Sequence, residues 1–161
     1  MLVIGLDPGL NRTGYAVVDA TDNSIRLVEG GVLRSSPKDS LADRCLELRR
    51  GLIDVLMDYT PDAAGIEQVF SLPKNPKTAV LMAHARGALL VTLAEMEVPI
   101  SHFMPNKIKR HLTGSGHASK EQMQQSVQLL LGHDQPLEPN DVADATAIAI
   151  CRADELRQRV A

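Results

Sequence analysis

The chain has 161 residues, a hydrophobic fraction of 44 % and a net charge of -3, so we expect one soluble, cytoplasmic domain covering residues 1–161. Its apolar runs are shorter than the roughly 20 residues of a membrane-spanning helix, and its start lacks the features of a secretory signal. Cys45 and Cys151 lie far apart in the chain, which argues against a disulfide framework.

The first third of the chain predicts three strands and a helix. An apolar run over 2–6 ends at the turn formed by residues 7–9, and further strands are expected over 14–18 and 25–34. Because only short turns separate these strands, they should form an antiparallel meander. Apolar residues from Leu41 to Tyr59, at steps of three and four, then predict a helix over about 39–59.

Strands and helices alternate in the rest of the sequence. The expected elements are a strand over 63–67, a helix over 77–96, a strand over 98–103, a short basic turn or helix over 106–112, a helix from a Ser119–Gln122 capping box to about 131, and a final helix from about 140 to 157. This order predicts an α/β domain with a mixed five-stranded central sheet flanked by helices.

Four acidic residues stand where such a fold can bring them together. Asp7 ends the first strand and Glu67 ends the fourth, while Asp141 and Asp144 share a face of the last helix. Converging carboxylates repel each other unless a hard cation such as Mg²⁺ compensates their charge. Two such ions, about 4 Å apart, are suited to phosphodiester hydrolysis.

Each acid also has an ordinary structural explanation. Asp7 is favoured at the start of a tight turn, and Asp141 is favoured in the first turn of a helix. The four acids therefore predict a metal-dependent active site only if the fold makes them converge.

Charge is unevenly distributed along the sequence. Residues 70–125 contain seven lysines and arginines against three acids, although the whole chain is acidic. A DNA-facing surface and a merely solvated surface explain this basic middle equally well.

Several motifs together resemble the RuvC family of junction endonucleases. The segments are IGLDPGLNRTGYAVVD at 4–19, GIEQVF at 65–70, KIKRHLTGSGHASKEQM at 107–123 and DVADATAIAI at 141–150. They occur in the family's order and cover residues 1 to about 155. The resemblance implies a ribonuclease H-like fold and a homodimer that cuts Holliday junctions symmetrically, with two Mg²⁺ per active site and Mn²⁺ as a substitute. It also implies contact with the RuvA/RuvB branch-migration complex.

The resemblance also implies roles for individual residues. The catalytic and metal-binding residues would be Asp7, Glu67, Asp141 and Asp144. Phe70 would stack on an unpaired base, which is worth roughly 1–3 kcal/mol. The remaining expected DNA contacts are Lys109, Lys120, Lys107, Arg12 and Lys74.

The helix over 77–96 is a candidate dimer surface. Its apolar residues exceed what one core-facing side needs: Leu81, Met82, Ala85, Leu89 and Val91. Its small residues Ala79, Ala83 and Gly87 are spaced by four and permit close helix approach. The pattern alone is equally compatible with burial inside one domain, and the resemblance favours an interface.

Three other functions fit parts of the sequence. The DPGLNRTG segment is also similar to the phosphate-binding turn of actin-like and sugar-kinase ATPases, but those proteins need a second domain of comparable size. A related nuclease acting on ribosomal RNA precursors usually lacks the basic segment. A non-catalytic junction-binding module would leave the four carboxylates unexplained.

Overall fold

The structure is a computed structural model that describes residues 1–21, 24–69 and 75–160. The strands are β1 (Leu2–Asp7), β2 (Arg12–Asp19), β3 (Arg26–Arg34), β4 (Ala63–Glu67) and β5 (Ile100–Phe103). The helices are α1 (Leu41–Tyr59), α2 (Pro76–Glu95), α3 (Pro105–Thr113), α4 (Lys120–Leu131) and α5 (Asn140–Val160). The segment over 106–112, which the sequence predicted as either a turn or a helix, is the helix α3. The final helix extends three residues beyond its predicted end at 157.

The strands form one mixed sheet in the order β3-β2-β1-β4-β5. The pairs β1–β2 and β2–β3 are antiparallel, which confirms the predicted meander, and β4 pairs in parallel with both β1 and β5. The register of β1 and β4 places Leu6 beside Ile66. Asp7 and Glu67, each one residue further on, therefore leave the sheet at the same edge.

The two faces of the sheet are covered by different helices. On one face, α1 and α2 supply leucines such as Leu52 and Leu89, which are fully buried against Ile4 and Ile66 of the sheet. On the other face lies α5, whose Ala149 packs against the strands. The helix that carries two of the four acids thus lies directly on the sheet.

Glycines in β1 and β2 allow α5 to approach this closely. A Cβ atom added at Gly5 would lie 2.1 Å from the carbonyl oxygen of Ala145, and one added at Gly14 would lie 2.3 Å from that of Asp141. Both distances are far below van der Waals contact, so neither position accepts a larger residue without movement of the helix. The glycine at 14 therefore places the beginning of α5 beside the end of β1.

Local side-chain contacts define where the helices begin. Ser40 caps α1 by accepting from the backbone N–H of Asp43, and Ser119 and Gln122 form the predicted capping box at α4. The last helix begins at Asn140, whose side chain accepts a hydrogen bond from Gln124 of α4. Among the helices of the described ranges, none has the length and apolar character needed to cross a membrane.

Candidate active site

Three of the four acids lie around one cavity at the edge of the sheet where β1 and β4 end. Asp7, Glu67 and Asp144 line this cavity, which has a volume of about 250 Å³. Its other lining residues come from the basic segment and from α4 and α5: Pro105, Ile108, Lys109, Lys120, Met123 and Ala147. The parallel pairing of β1 and β4 brings two of the carboxylates together, and the close approach of α5 adds the third.

Burial and repulsion from neighbouring acids make Asp7 and Glu67 hard to ionise. Burial raises the pKa of Asp7 to about 7, with further increases from the charges of Asp144 and Asp141. Burial likewise raises the pKa of Glu67 to about 8, with repulsion from Asp7 and Asp144. Lys120 and Lys109 act in the opposite direction, and their effect is the smaller one. A cation bound in the cavity would oppose this repulsion and favour the ionised forms of both carboxylates.

Cationic side chains hold the two acids of α5. The Nζ atom of Lys120 lies 3.2 Å from an oxygen of Asp144. Arg12 donates a hydrogen bond of 2.7 Å to Asp141. Asp141 does not line the cavity, yet its charge contributes to the raised pKa of Asp7. The fourth acid therefore lies beside the cavity, engaged by an arginine.

The carboxylates in and beside the cavity are suitable ligands for a hard divalent cation, although their present positions do not form a complete coordination site. Among the residues that the structure describes, no three acids, histidines or cysteines are close enough together to hold a metal ion. Asp141 and Asp144 are instead paired with Arg12 and Lys120. All the candidate ligands are nevertheless carboxylate oxygens, which Mg²⁺ prefers.

The structure separates the expected DNA-binding residues into groups. Lys109 and Lys120 line the cavity, and Arg12 lies beside it in its pair with Asp141. Lys107 points elsewhere, to a smaller cavity that it shares with His111 and other residues. The other two expected contacts, Phe70 and Lys74, lie outside the described residues.

Arg86 and His102 are neighbours of the site that sequence reasoning did not single out. The Nε of Arg86 donates to the main-chain carbonyl of Glu67 at 2.9 Å, and its NH2 lies 2.6 Å from Nδ1 of His102. No pattern in the sequence indicates these contacts, because they depend on how α2 lies across the ends of β4 and β5. The motif at 65–70 identifies Glu67 and gives no information on what holds its backbone.

Comparison with known proteins gives the family of this chain. The profile of the crossover junction endodeoxyribonuclease RuvC matches residues 3–152. The chain belongs to the RuvC family. It is 42 % identical to a RuvC of Rhodopirellula baltica over 149 residues, which cover 92 % of this chain and 84 % of that protein. A RuvC of Roseiflexus sp. is 44 % identical over 148 residues, with 92 % and 88 % covered.

A solved RuvC structure shares the whole fold. Thermus thermophilus RuvC in complex with a Holliday junction substrate superimposes with a TM-score of 0.90 at 33 % identity, covering 98 % of this chain and 96 % of that one. This match confirms the predicted ribonuclease H-like fold and its mixed five-stranded sheet. The RuvC matches favour a junction endonuclease over an ATPase, a ribosomal RNA nuclease or a non-catalytic binding module.

The raised pKa values of the site predict how stability depends on pH when no divalent cation is present. The ordinary values for Asp7 and Glu67 are 3.8 and 4.5, and the folded protein raises them to about 7 and about 8. Between pH 4 and 8 the folded state therefore binds more protons than the unfolded state. These two acids should make the free energy of unfolding fall as pH rises through that window, and level off above it.

This pH effect can be measured by difference. Asp7→Asn and Glu67→Gln should each be more stable than the parent protein at pH 8 without metal, and the advantage should shrink towards pH 4. Asp134→Asn, which changes an exposed acid in the loop before α5, should follow the parent at every pH. Urea unfolding at each pH gives the values, and an advantage that is equal at pH 4 and pH 8 would contradict the assignment.

Proposed function

We propose that this RuvC-family chain resolves four-way DNA junctions by hydrolysing a phosphodiester in each of two paired strands. The observation that carries this proposal is the convergence of Asp7, Glu67 and Asp144 on one cavity that lysines also line. Its support from relatives is the similarity to crossover junction endodeoxyribonucleases and to the RuvC that was solved with a Holliday junction substrate.

We propose Mg²⁺ as the cofactor, with two ions per site and Mn²⁺ as a substitute. Asp7, Glu67 and Asp144 would hold the ions. Asp141 would become a further ligand after its ion pair with Arg12 breaks. When bound, the metal supplies the Lewis acidity that phosphodiester hydrolysis requires. The support is chemical, since buried carboxylates with raised pKa values and only oxygen donors favour a hard cation.

The two lysines of the cavity are proposed to bind the phosphates of the DNA backbone and so to position the DNA for cleavage. Lys120 is the first residue of α4, where the free N–H groups of a helix attract phosphate, and Lys109 lines the same cavity. Both side chains bring positive charge to within reach of the carboxylates, so a phosphate entering the cavity meets compensating charge. The apolar side chains of Ile108 and Met123, both buried, also line the cavity.

Contacts further from the cavity are proposed from the family resemblance. Phe70 would stack on an unpaired base, while Arg12, Lys74 and Lys107 would contact the DNA backbone. Phe70 follows Glu67 by three residues in the sequence, within the segment that resembles the family. We also propose RuvA/RuvB as the partner complex, and the cytoplasm as the location, because the proposed DNA substrate lies there.

We propose that a second copy of the chain binds along the groove between α1 and α2. Paired cuts at symmetric positions need two active sites, which a two-fold dimer supplies. The groove is mostly apolar and is lined by Cys45, Leu46, Arg49, Ala83, His84, Gly87, Ala88 and Val91. Of the five apolar residues expected at the interface, Ala85 and Leu89 are instead fully buried in the chain's own core.

Several apolar side chains of α1 and α2, in the groove or on the surface nearby, are exposed. Val80 and Val91 are each 56 % exposed, and Leu46 of α1 is 37 % exposed. A Cβ atom added at Gly87 would meet no atom within 4 Å, so the backbone of α2 is open to close approach there. Two copies meeting along this face would bury apolar side chains that are otherwise exposed to water.

A cleavage assay tests the proposed function. The protein is incubated with a synthetic four-way junction and, separately, with a linear duplex of the same sequence, over a range of Mg²⁺ concentrations. We expect paired nicks at symmetric positions in the junction only, and no products when EDTA replaces the metal. Equal cutting of both substrates, or no cutting of the junction with either Mg²⁺ or Mn²⁺, would contradict the proposal.

A further inference from the structure

We infer that Arg86 is a positioning residue that fixes the backbone of Glu67 and connects it to the helix of the proposed dimer surface. The inference rests on the proposed function, because it assigns Arg86 a role in cation binding and cleavage through Glu67. Arg86 lies on α2 and reaches the ends of two neighbouring strands, β4 and β5.

The main chain of Glu67 lies where the sheet ends. Pairing between β1 and β4 stops at Leu6 and Ile66, one residue before Glu67. On the other side, Glu67 is paired with Phe103, whose carbonyl accepts from the N–H of Gln68. The carbonyl of Glu67 itself accepts from Nε of Arg86 at 2.9 Å. A half-buried guanidinium thus holds the peptide that carries the catalytic carboxylate.

A second contact fixes the guanidinium. The NH2 of Arg86 lies 2.6 Å from Nδ1 of His102 on β5. A guanidinium can only donate, so Nδ1 must accept and the ring must be neutral with its proton on Nε2. Burial, followed by the charge of Arg86, lowers the pKa of His102, which agrees with a neutral ring. With both Nε and Nη2 engaged, Arg86 has little freedom to release Glu67.

Arg86 lies beside residues of α2 that line the groove proposed to bind a second copy. Arg86 stands immediately before Gly87 and three residues after Ala83, both of which line the groove proposed to bind a second copy. A single turn of α2 therefore carries both a part of the proposed dimer surface and the arginine that holds Glu67. A shift of α2 on dimer formation would move the donor to Glu67 together with the helix.

Three variants test this role in the full-length protein. Arg86→Gln removes the charged fork, Arg86→Lys keeps a charged donor of similar reach, and Arg50→Gln changes an exposed arginine of α1 as a control. The measurements are kcat, the Kd of a four-way junction, and the Mg²⁺ concentration that gives half of the cation-induced rise in Tm. A merely structural role would lower Tm without moving the Mg²⁺ midpoint.

We expect Arg86→Gln to lower kcat and to raise the Mg²⁺ midpoint, each by about 10- to 100-fold, as is typical when a partner of a metal ligand is lost. Junction Kd should stay at the parent value, Arg86→Lys should recover part of the loss, and Arg50→Gln should behave as the parent. Unchanged kcat and Mg²⁺ midpoint in both Arg86 variants would overturn the inference.

A double variant shows whether Arg86 acts through Glu67. In a Glu67→Gln background, adding Arg86→Gln should cause no further change in the Mg²⁺-induced rise in Tm, because the ligand that Arg86 positions is already lost. A further loss of the same size as in the parent background would overturn the inference. Failure of the proposed function is distinguishable, since the parent protein itself would then show neither cleavage nor a Mg²⁺-induced rise in Tm.

Discussion

Asp7→Asn is expected to abolish cleavage of a four-way junction while junction binding persists. Asp7 lines the cavity together with Glu67 and Asp144, and its carboxylate is one of the proposed cation ligands. Metal catalysis supplies several kcal/mol of transition-state stabilisation, and each 1.4 kcal/mol is about tenfold in rate, so we expect a loss of at least about a thousandfold. Binding should be equal or tighter, because a charge that repels phosphate is removed.

Single-turnover cleavage and a junction-binding titration in Ca²⁺ separate the two effects. Asp144→Asn should behave like Asp7→Asn, because both acids line the same cavity. Asp134→Asn is the matched control, an identical change at an exposed acid ten residues before Asp144. Cleavage by Asp7→Asn at near the parent rate would show that this acid is not part of the catalytic machinery.

Gly87→Arg should yield a folded monomer that resolves junctions poorly. Because a Cβ atom at Gly87 meets nothing within 4 Å, the chain's own fold accepts a larger residue there. Replacing a helix-interior glycine also removes an unfavourable helix propensity of about 1 kcal/mol, so the monomer should not lose stability. In a dimer, the arginine would place a charge in the apolar groove, where its desolvation is costly.

Sedimentation at micromolar concentration measures the oligomeric state. We expect the parent protein to be a dimer and Gly87→Arg a monomer of unchanged helix content, with paired cuts replaced by rare single nicks. Leu129→Arg adds the same side chain on α4, at a leucine that is 81 % exposed and outside the groove, and should remain dimeric. If Gly87→Arg stays dimeric and makes paired cuts, the second copy does not bind in this groove.

Much of the fold could be predicted because each element has a clear local signal. The strands at both sides of the turn after Asp7 differ from their predicted ends by one or two residues, and Ser119 with Gln122 identifies the start of α4. The sequence order of strands and helices was enough to predict a mixed five-stranded sheet. These features depend on neighbouring residues, which the sequence displays directly.

The arrangement of the site depends on contacts between distant residues and was only partly predictable. Arg12 and Asp141 pair across 129 positions of the chain, and nothing local indicates that pair. Lys107 belongs to the same basic segment as Lys109, yet the turn of α3 directs it to another cavity. The hold of Arg86 on Glu67 likewise exists only once α2 has packed against the sheet.

The two thiols of the chain differ in their exposure to solvent, which allows one of them to be labelled selectively. Cys151 is 4 % exposed, and burial raises the pKa of its thiol to about 12, so it should resist alkylation at neutral pH. Cys45 is partly exposed and lines the groove between α1 and α2. A maleimide fluorophore should therefore label the native chain at one position, without any engineered cysteine. The rate of this labelling should fall as protein concentration rises, because a second copy bound in the groove would cover Cys45, and it would therefore report the association of subunits.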